Sequence, residues 1–145
     1  GEWHRIEVGV EEGRQLVRFA DQLLVLAAGE NDLKEAIERH LRELAEIEVP
    51  PLVRAAAVEH EVEIGLVQIR NQRSRWGSCS SKGTISLNWR LIQIPDWVRD
   101  YLIVHELMHT REMNHSSRYW KHVGVACPDY EDAENWLTKH SELLR

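Results

Sequence analysis

Two histidines four residues apart with a glutamate beside the first, His105-Glu106-Leu107-Met108-His109, and a further histidine at His115 are the residues best suited to chemistry in this chain. On an α-helix, positions i and i+4 lie on one face, so His105 and His109 can aim two imidazoles at one metal ion. Glu106 sits roughly 100° further round, at about 3.6 residues per turn, and borders the metal without binding it. That is where a general base for metal-bound water belongs. His115 completes a three-ligand set whose fourth position stays open to water, as catalytic zinc requires. Ordinary satisfied histidines also produce so short a pattern by chance, so the flanking elements matter.

The third ligand has a rival. His115 follows His109 at the spacing of the metzincin proteases, which carry glycine where this chain has Glu112. Glycine there lets a chain turn sharply; here Asn114 is the local candidate for a left-handed residue. Ser116 or Ser117 then caps a short helix, Arg118–Val123. The alternative takes a carboxylate from Asp129, Glu131, Asp132 or Glu134, an acid-rich stretch that otherwise reads as a solvated helix start.

The elements that must position these groups can be read outwards from them. Asp96–Val104 runs into the motif without glycine or an internal proline. Pro95 suits a helix start, and Asp96 and Asp100 place acid where the helix dipole favours it. Trp97, Tyr101, Leu102, Val104, Leu107 and Met108 predict a largely buried helix, in which two histidines and a glutamate are costly unless partnered. A last helix is predicted from near Asp129 to about Leu144. Upstream, Ile64–Arg70 is an apolar β-branched run. Thr84–Trp89 alternates, with Ile85, Leu87 and Trp89 facing the core and Thr84, Ser86 and Asn88 facing outwards. Gly77–Gly83 between them is a turn-rich link. Leu33, Ile37, Leu41, Leu44 and Ile47 stripe a helix over 32–48 that Pro50-Pro51 should break, with a short helix following over 52–60. Residues 4–28 suggest a small antiparallel sheet. The sum is an α+β arrangement.

The segment Arg75-Trp76-Gly77-Ser78-Cys79-Ser80-Ser81-Lys82-Gly83-Thr84-Ile85-Ser86-Leu87-Asn88-Trp89-Arg90-Leu91, with the histidine motif and Asn114-His115-Ser116, closely resembles the YgjP-like family of zinc metallopeptidase domains. That family is similar in turn to the SprT-like and WLM proteases. The resemblance covers about 64–145 well and the first 60 residues only in outline. It implies a zincin-like fold with a small antiparallel sheet beside the motif helix. It also implies one zinc ion held by His105, His109 and His115, with Glu106 catalytic; the metzincin turn then loses its relevance.

The expected chemistry is hydrolysis of a peptide bond, with Glu106 as general base on zinc-bound water. Arg118, Tyr119 and His122 are candidates for a second oxyanion donor. The Thr84–Trp89 strand, if it forms the sheet edge over the cleft, is suited to pair with an extended peptide, and Arg75 and Trp76 to fix the nearby loop. Cys79 reads as a small buried residue.

Length and composition bound the rest. With 145 residues the chain is expected to form one metallopeptidase domain, 1–145, with N-terminal strands and helices over 1–62 and a catalytic core over 63–145. No apolar run approaches the roughly 20 residues of a membrane span. Gly1–Arg5 lacks the basic start and apolar core of a signal peptide, and two cysteines form no disulfide framework; a cytoplasmic location is expected. The net charge is −6, yet 64–95 holds no acid and five cations, Arg70, Arg73, Arg75, Lys82 and Arg90. These either pair with acids elsewhere or mark a face for a nucleotide or nucleic acid. Hence two rivals to a peptidase: a metal-dependent hydrolase of nucleotide triphosphates, and a non-catalytic zinc-containing binding module, in which Glu106 would serve no purpose.

Overall fold

Ile37, Leu41, Ala45, Val49, Val53 and Ala57 recur every four residues, and all six are buried along one helix, α1 (Glu30–Glu59). A computed structural model describes residues 30–144; the strands expected within 4–28 lie outside them. Four-residue steps drift about 40° each around a helix of 3.6 residues per turn, so the two ends of α1 meet different neighbours. Glu38 and Arg42 come within electrostatic reach of Arg90. Leu52, Ala55 and Ala56 share a cavity wall with Trp97, Tyr101 and Val104 of the motif helix.

The break expected at Pro50-Pro51 does not occur, since both prolines lie inside α1. An interior proline costs about 3 kcal/mol, largely through a lost bond to the carbonyl four residues back. Those carbonyls belong to Glu46 and Ile47, both on the exposed side of the helix, where water can replace the missing N–H. The buried row meanwhile continues through Val53 and Ala57 at 0 % and 4 % exposure. Tertiary burial wins over local propensity.

Three short strands follow: β1 (Val67–Arg70), β2 (Gly77–Cys79) and β3 (Ile85–Asn88), in the order β1-β3-β2. The sheet is mixed and not purely antiparallel: β1 runs parallel to β3, with Val67 opposite Ile85, while β2 is antiparallel to β3, with Ser78 opposite Ser86. The reason lies in the link between β1 and β3, which itself contributes β2. Ser80–Thr84 closes a hairpin from β2 to β3, with Gly83 at φ 82° and the Ser80 hydroxyl accepting from the Lys82 and Thr84 amides. That return leaves β3 central and parallel to β1.

Ile85, Leu87 and Trp89 are buried as the alternation predicts, but Asn88 does not face outwards; it is 1 % exposed. Its Oδ1 accepts from the Arg90 amide, capping a 3-10 turn (Trp89–Gln93). Its Nδ2 donates to the Gln72 and Arg75 carbonyls. A buried amide so fully bonded is worth its desolvation, and it suspends the loop that leads into β2.

The motif helix, α2 (Asp96–Met108), has Pro95 at its N-cap and packs on α1, β2, α3 (Ser117–Ala126) and α4 (Tyr130–Lys139). Tyr101, Leu102, Val104, Leu107 and Met108 are buried, whereas Trp97 is 47 % exposed. Buried Arg99 is satisfied by Asp96 and Asp100, each at 2.9 Å. A 3-10 turn (Ser141–Leu144) follows α4. Among the described residues the architecture is α+β, with a small sheet beside a central helix.

Candidate metal centre

α2 ends at Met108, and His109 occupies its C-cap in right-handed geometry. Beyond it the chain tightens through bonds from the Thr110 and Arg111 amides to Leu107 and Met108, and the Ser116 amide reaches the Asn114 carbonyl at 2.8 Å. No left-handed residue makes this turn. Asn114 is not one, and the only non-glycine with positive φ among the described residues is Glu61. The Ser116 hydroxyl caps α3 by accepting from the Tyr119 amide, which leaves His115 suspended between two helix ends.

There the three imidazoles converge. His115 Nε2 lies 3.3 Å from His105 Nε2 and 3.0 Å from His109 Nε2, and a nitrogen of each lies within 4.8 Å of the others. Bonds of about 2.0–2.1 Å to a tetrahedral zinc place its nitrogens about 3.3 Å apart, so the donor set fits that ion in type, number and spacing. Burial, with His109 and His115 alongside, pushes His105 down to about 3. Burial also lowers His109. Both are therefore neutral near pH 7, the form that binds metal. The converging cluster consists of the three histidines; Asp129, Glu131, Asp132 and Glu134 stand outside it.

The opposite nitrogens are also engaged. His105 Nδ1 meets the Tyr101 hydroxyl at 2.9 Å, and His109 Nδ1 meets the Glu112 carbonyl at 3.1 Å. Tyr119, fully buried, stacks on His109 with ring centroids 4.4 Å apart, and Trp120 stacks on His115. The Tyr119 hydroxyl donates to the His105 carbonyl at 2.7 Å, so its proton is spent on holding α2 and not on an oxyanion. Arg118 is turned towards Glu112 across 4.0 Å, with 78 % of its side chain exposed. The suggested oxyanion donors thus include one wall of the ring cluster and one surface cation.

Glu106 is 4 % exposed, and burial pushes its carboxyl up to about 8 while Arg75 pulls the other way. It opens with His105 on a cavity of about 330 Å³ walled by Arg75, Trp76 and Gly77 on one side and Glu134, Leu137 and Leu144 on the other. The Cys79 thiol is pushed up to about 11, chiefly by burial and then by Glu106, so it stays protonated. Tyr101 went unnoticed in the sequence as a site residue, although its place four residues before His105 puts it on the same helix face.

β2 is pressed against Glu106. A Cβ on Gly77 would lie 2.9 Å from Leu87 Cδ2, 3.0 Å from the Ser86 carbonyl and 3.1 Å from Glu106 Oε2. The backbone contact cannot yield cheaply. Gly77→Ala is expected to destabilise the fold by about 1–3 kcal/mol and to displace the Glu106 carboxylate. Thermal melting and hydrolysis rates should both fall; an unchanged pair would refute this close packing.

The family model described as YgjP-like, metallopeptidase domain, matches residues 1–140. No curated protein matches the chain. Among solved structures, the chain is similar to the metallopeptidase zymogen abylysin of Pyrococcus abyssi, with a TM-score of 0.56 and 25 % identity, over 63 % of this chain and 94 % of that one.

Proposed function

The chain belongs to the YgjP-like metallopeptidase domain family, and on that footing we propose that it hydrolyses peptide bonds with zinc held by His105, His109 and His115 and with Glu106 as general base. The convergence of three imidazole nitrogens beside a buried glutamate carries this reading. A bound zinc ion supplies Lewis acidity, which lowers the pKa of water towards neutrality and polarises a carbonyl. Glu106, whose ionised form a cation held beside it would favour, takes the proton of the attacking water and delivers it to the leaving amine. Tyr101 and the Glu112 carbonyl keep two imidazoles oriented, and Trp76, Leu102 and Leu137 line the open cavity on the Glu106 side.

Substrate binding falls to a different strand from the one expected. β3 lies between its two neighbours, so Thr84–Trp89 is not an edge; among the described residues β2 is paired on one side only. An extended peptide adds to β2, and the adjoining cavity takes a largely apolar side chain. Of the five cations in 64–95, Arg75 alone lines that cavity, which weighs against a phosphoanhydride substrate. In this reading residues 1–145 act as one domain. Cys79 and Cys127, both free thiols, suit a reducing cytoplasm. No described helix is long and apolar enough to cross a membrane.

The test is a panel of casein, peptide libraries and nucleoside triphosphates, with and without a zinc chelator. Peptide cleavage that chelation abolishes and zinc restores is the expected result. Turnover of nucleotides alone would overturn it, and stoichiometric zinc without any turnover would make the protein a binding module.

A further inference from the structure

Among the described residues, Arg75 is the only lysine or arginine lining the cavity beside Glu106, which also holds the carboxyl of Glu134. The side chain is exposed, and its Nε donates to the Gln72 side-chain oxygen at 3.2 Å. Neither terminal nitrogen donates a hydrogen bond among the described residues, so the planar fork that matches a carboxylate stays open. The loop beneath it is fixed. The Arg75 carbonyl accepts from Asn88 Nδ2 at 3.2 Å, the Trp76 carbonyl accepts from the Asn88 amide at 2.8 Å, and Trp89 Nε1 donates to Asn71 Oδ1 at 2.9 Å. A guanidinium on an anchored backbone loses less freedom on binding than one on a loose loop.

Its place along the chain matters as well. Gly77, the first residue of β2, is where that strand meets Glu106, since a Cβ there would lie 3.1 Å from Glu106 Oε2. Arg75 stands two residues earlier, at most about 7 Å of extended chain. A peptide lying along β2 with its cleaved bond beside Glu106 therefore passes Arg75 about two residues away. Trp76, Leu102, Leu137 and Leu144 supply the apolar lining. Neighbouring side chains of an extended substrate point to opposite sides, so the apolar and the charged contact fall to different residues.

We propose that Arg75 is a specificity-determining residue that receives a substrate carboxylate about two residues from the cleaved bond, either an acidic side chain or the free carboxyl end of the peptide. The inference rests on the peptidase reading of the site and names the class of peptide it selects. One guanidinium matches one carboxylate through two parallel bonds. No second lysine or arginine lines the cavity among the described residues, so the position of the acid is fixed along with its charge.

The test uses zinc-loaded wild type, Arg75→Gln and Arg75→Glu. Peptides of one sequence carry Asp or Lys at each of three positions on either side of the cleaved bond, with free or amidated carboxyl ends. The readouts are the kcat/KM ratios of Asp to Lys peptides and of free to amidated ends within each variant, which a general loss of activity leaves unchanged. Wild type should favour the carboxylate about 10-fold, between an exposed ion pair and a desolvated charged hydrogen bond. Arg75→Gln should bring the ratio near one, and Arg75→Glu should invert it in favour of lysine. A preference kept in amidated peptides assigns the side chain; one confined to free ends assigns the terminus. Where turnover is too slow to measure, the same ratios are read as peptide dissociation constants in the zinc-loaded Glu106→Gln background.

Wild-type cleavage with no preference for a carboxylate at any position or end would overturn the proposal. So would a preference that survives Arg75→Glu. An equal fall for every peptide at an unchanged ratio would confine Arg75 to easing the ionisation of Glu106 and likewise overturn it. Absence of any peptide cleavage by wild type would remove the peptidase reading itself, an outcome distinct from cleavage without preference.

Discussion

Replacing Glu106 by Gln is expected to slow peptide hydrolysis by about 10²–10⁴-fold, the usual contribution of a positioned proton carrier, while zinc stays bound at the same stoichiometry. Glutamine has nearly the volume and shape of glutamate, so the packing around a side chain 4 % exposed survives. Its amide cannot take a proton from water. Glu106 is separable from binding because the cluster that could hold a metal contains the three histidines without it. The measurement pairs a steady-state peptide assay with metal analysis on the same sample. Full activity in the glutamine variant would remove Glu106 from the chemistry; loss of zinc along with activity would make it a ligand.

His115→Ala carries the second large effect, on zinc affinity. His115 comes from the turn after α2, not from the helix that presents His105 and His109, and it is exposed where His109 is buried. Its Nε2 nonetheless closes the set, 3.3 Å and 3.0 Å from the other two. Removing it leaves two protein ligands, and the loss should exceed the about 10–100-fold that removal of an outer partner costs. Because the side chain lies at the surface, truncation leaves no core cavity, and the metal-free protein should melt as wild type does. Unchanged zinc occupancy would shift the third ligand to the acids of α4.

Of the groups that converge here, two have their spacing set by one helix, while His115 arrives from the turn after it. His105 and His109 follow from a four-residue repeat, and Ser116 from the residue preference of helix caps. Near-neighbour rules reach that far. They failed at Pro50-Pro51, where the outcome depends on what the far half of α1 buries, and at Asn88, whose polar side chain fits an outward position by alternation yet serves a loop 13–16 residues away. The strand order was hidden for the same reason. Gly77–Cys79 is too short and too rich in small residues to announce itself as a strand, and its insertion beside β3 turns the expected edge into an interior strand.

The cavity beside Glu106 has walls of unequal chemical importance. One is α2, which carries His105 and Glu106, with the loop into β2. The other comes from the end of α4 and the turn after it, through Leu137, Thr138, Ser141 and Leu144, which are outside the histidine cluster. Evolution can therefore rewrite the second wall while leaving the first intact. Descendants of one such ancestor could diverge in the peptides they accept through a handful of substitutions near the carboxyl end, and share an unaltered catalytic step.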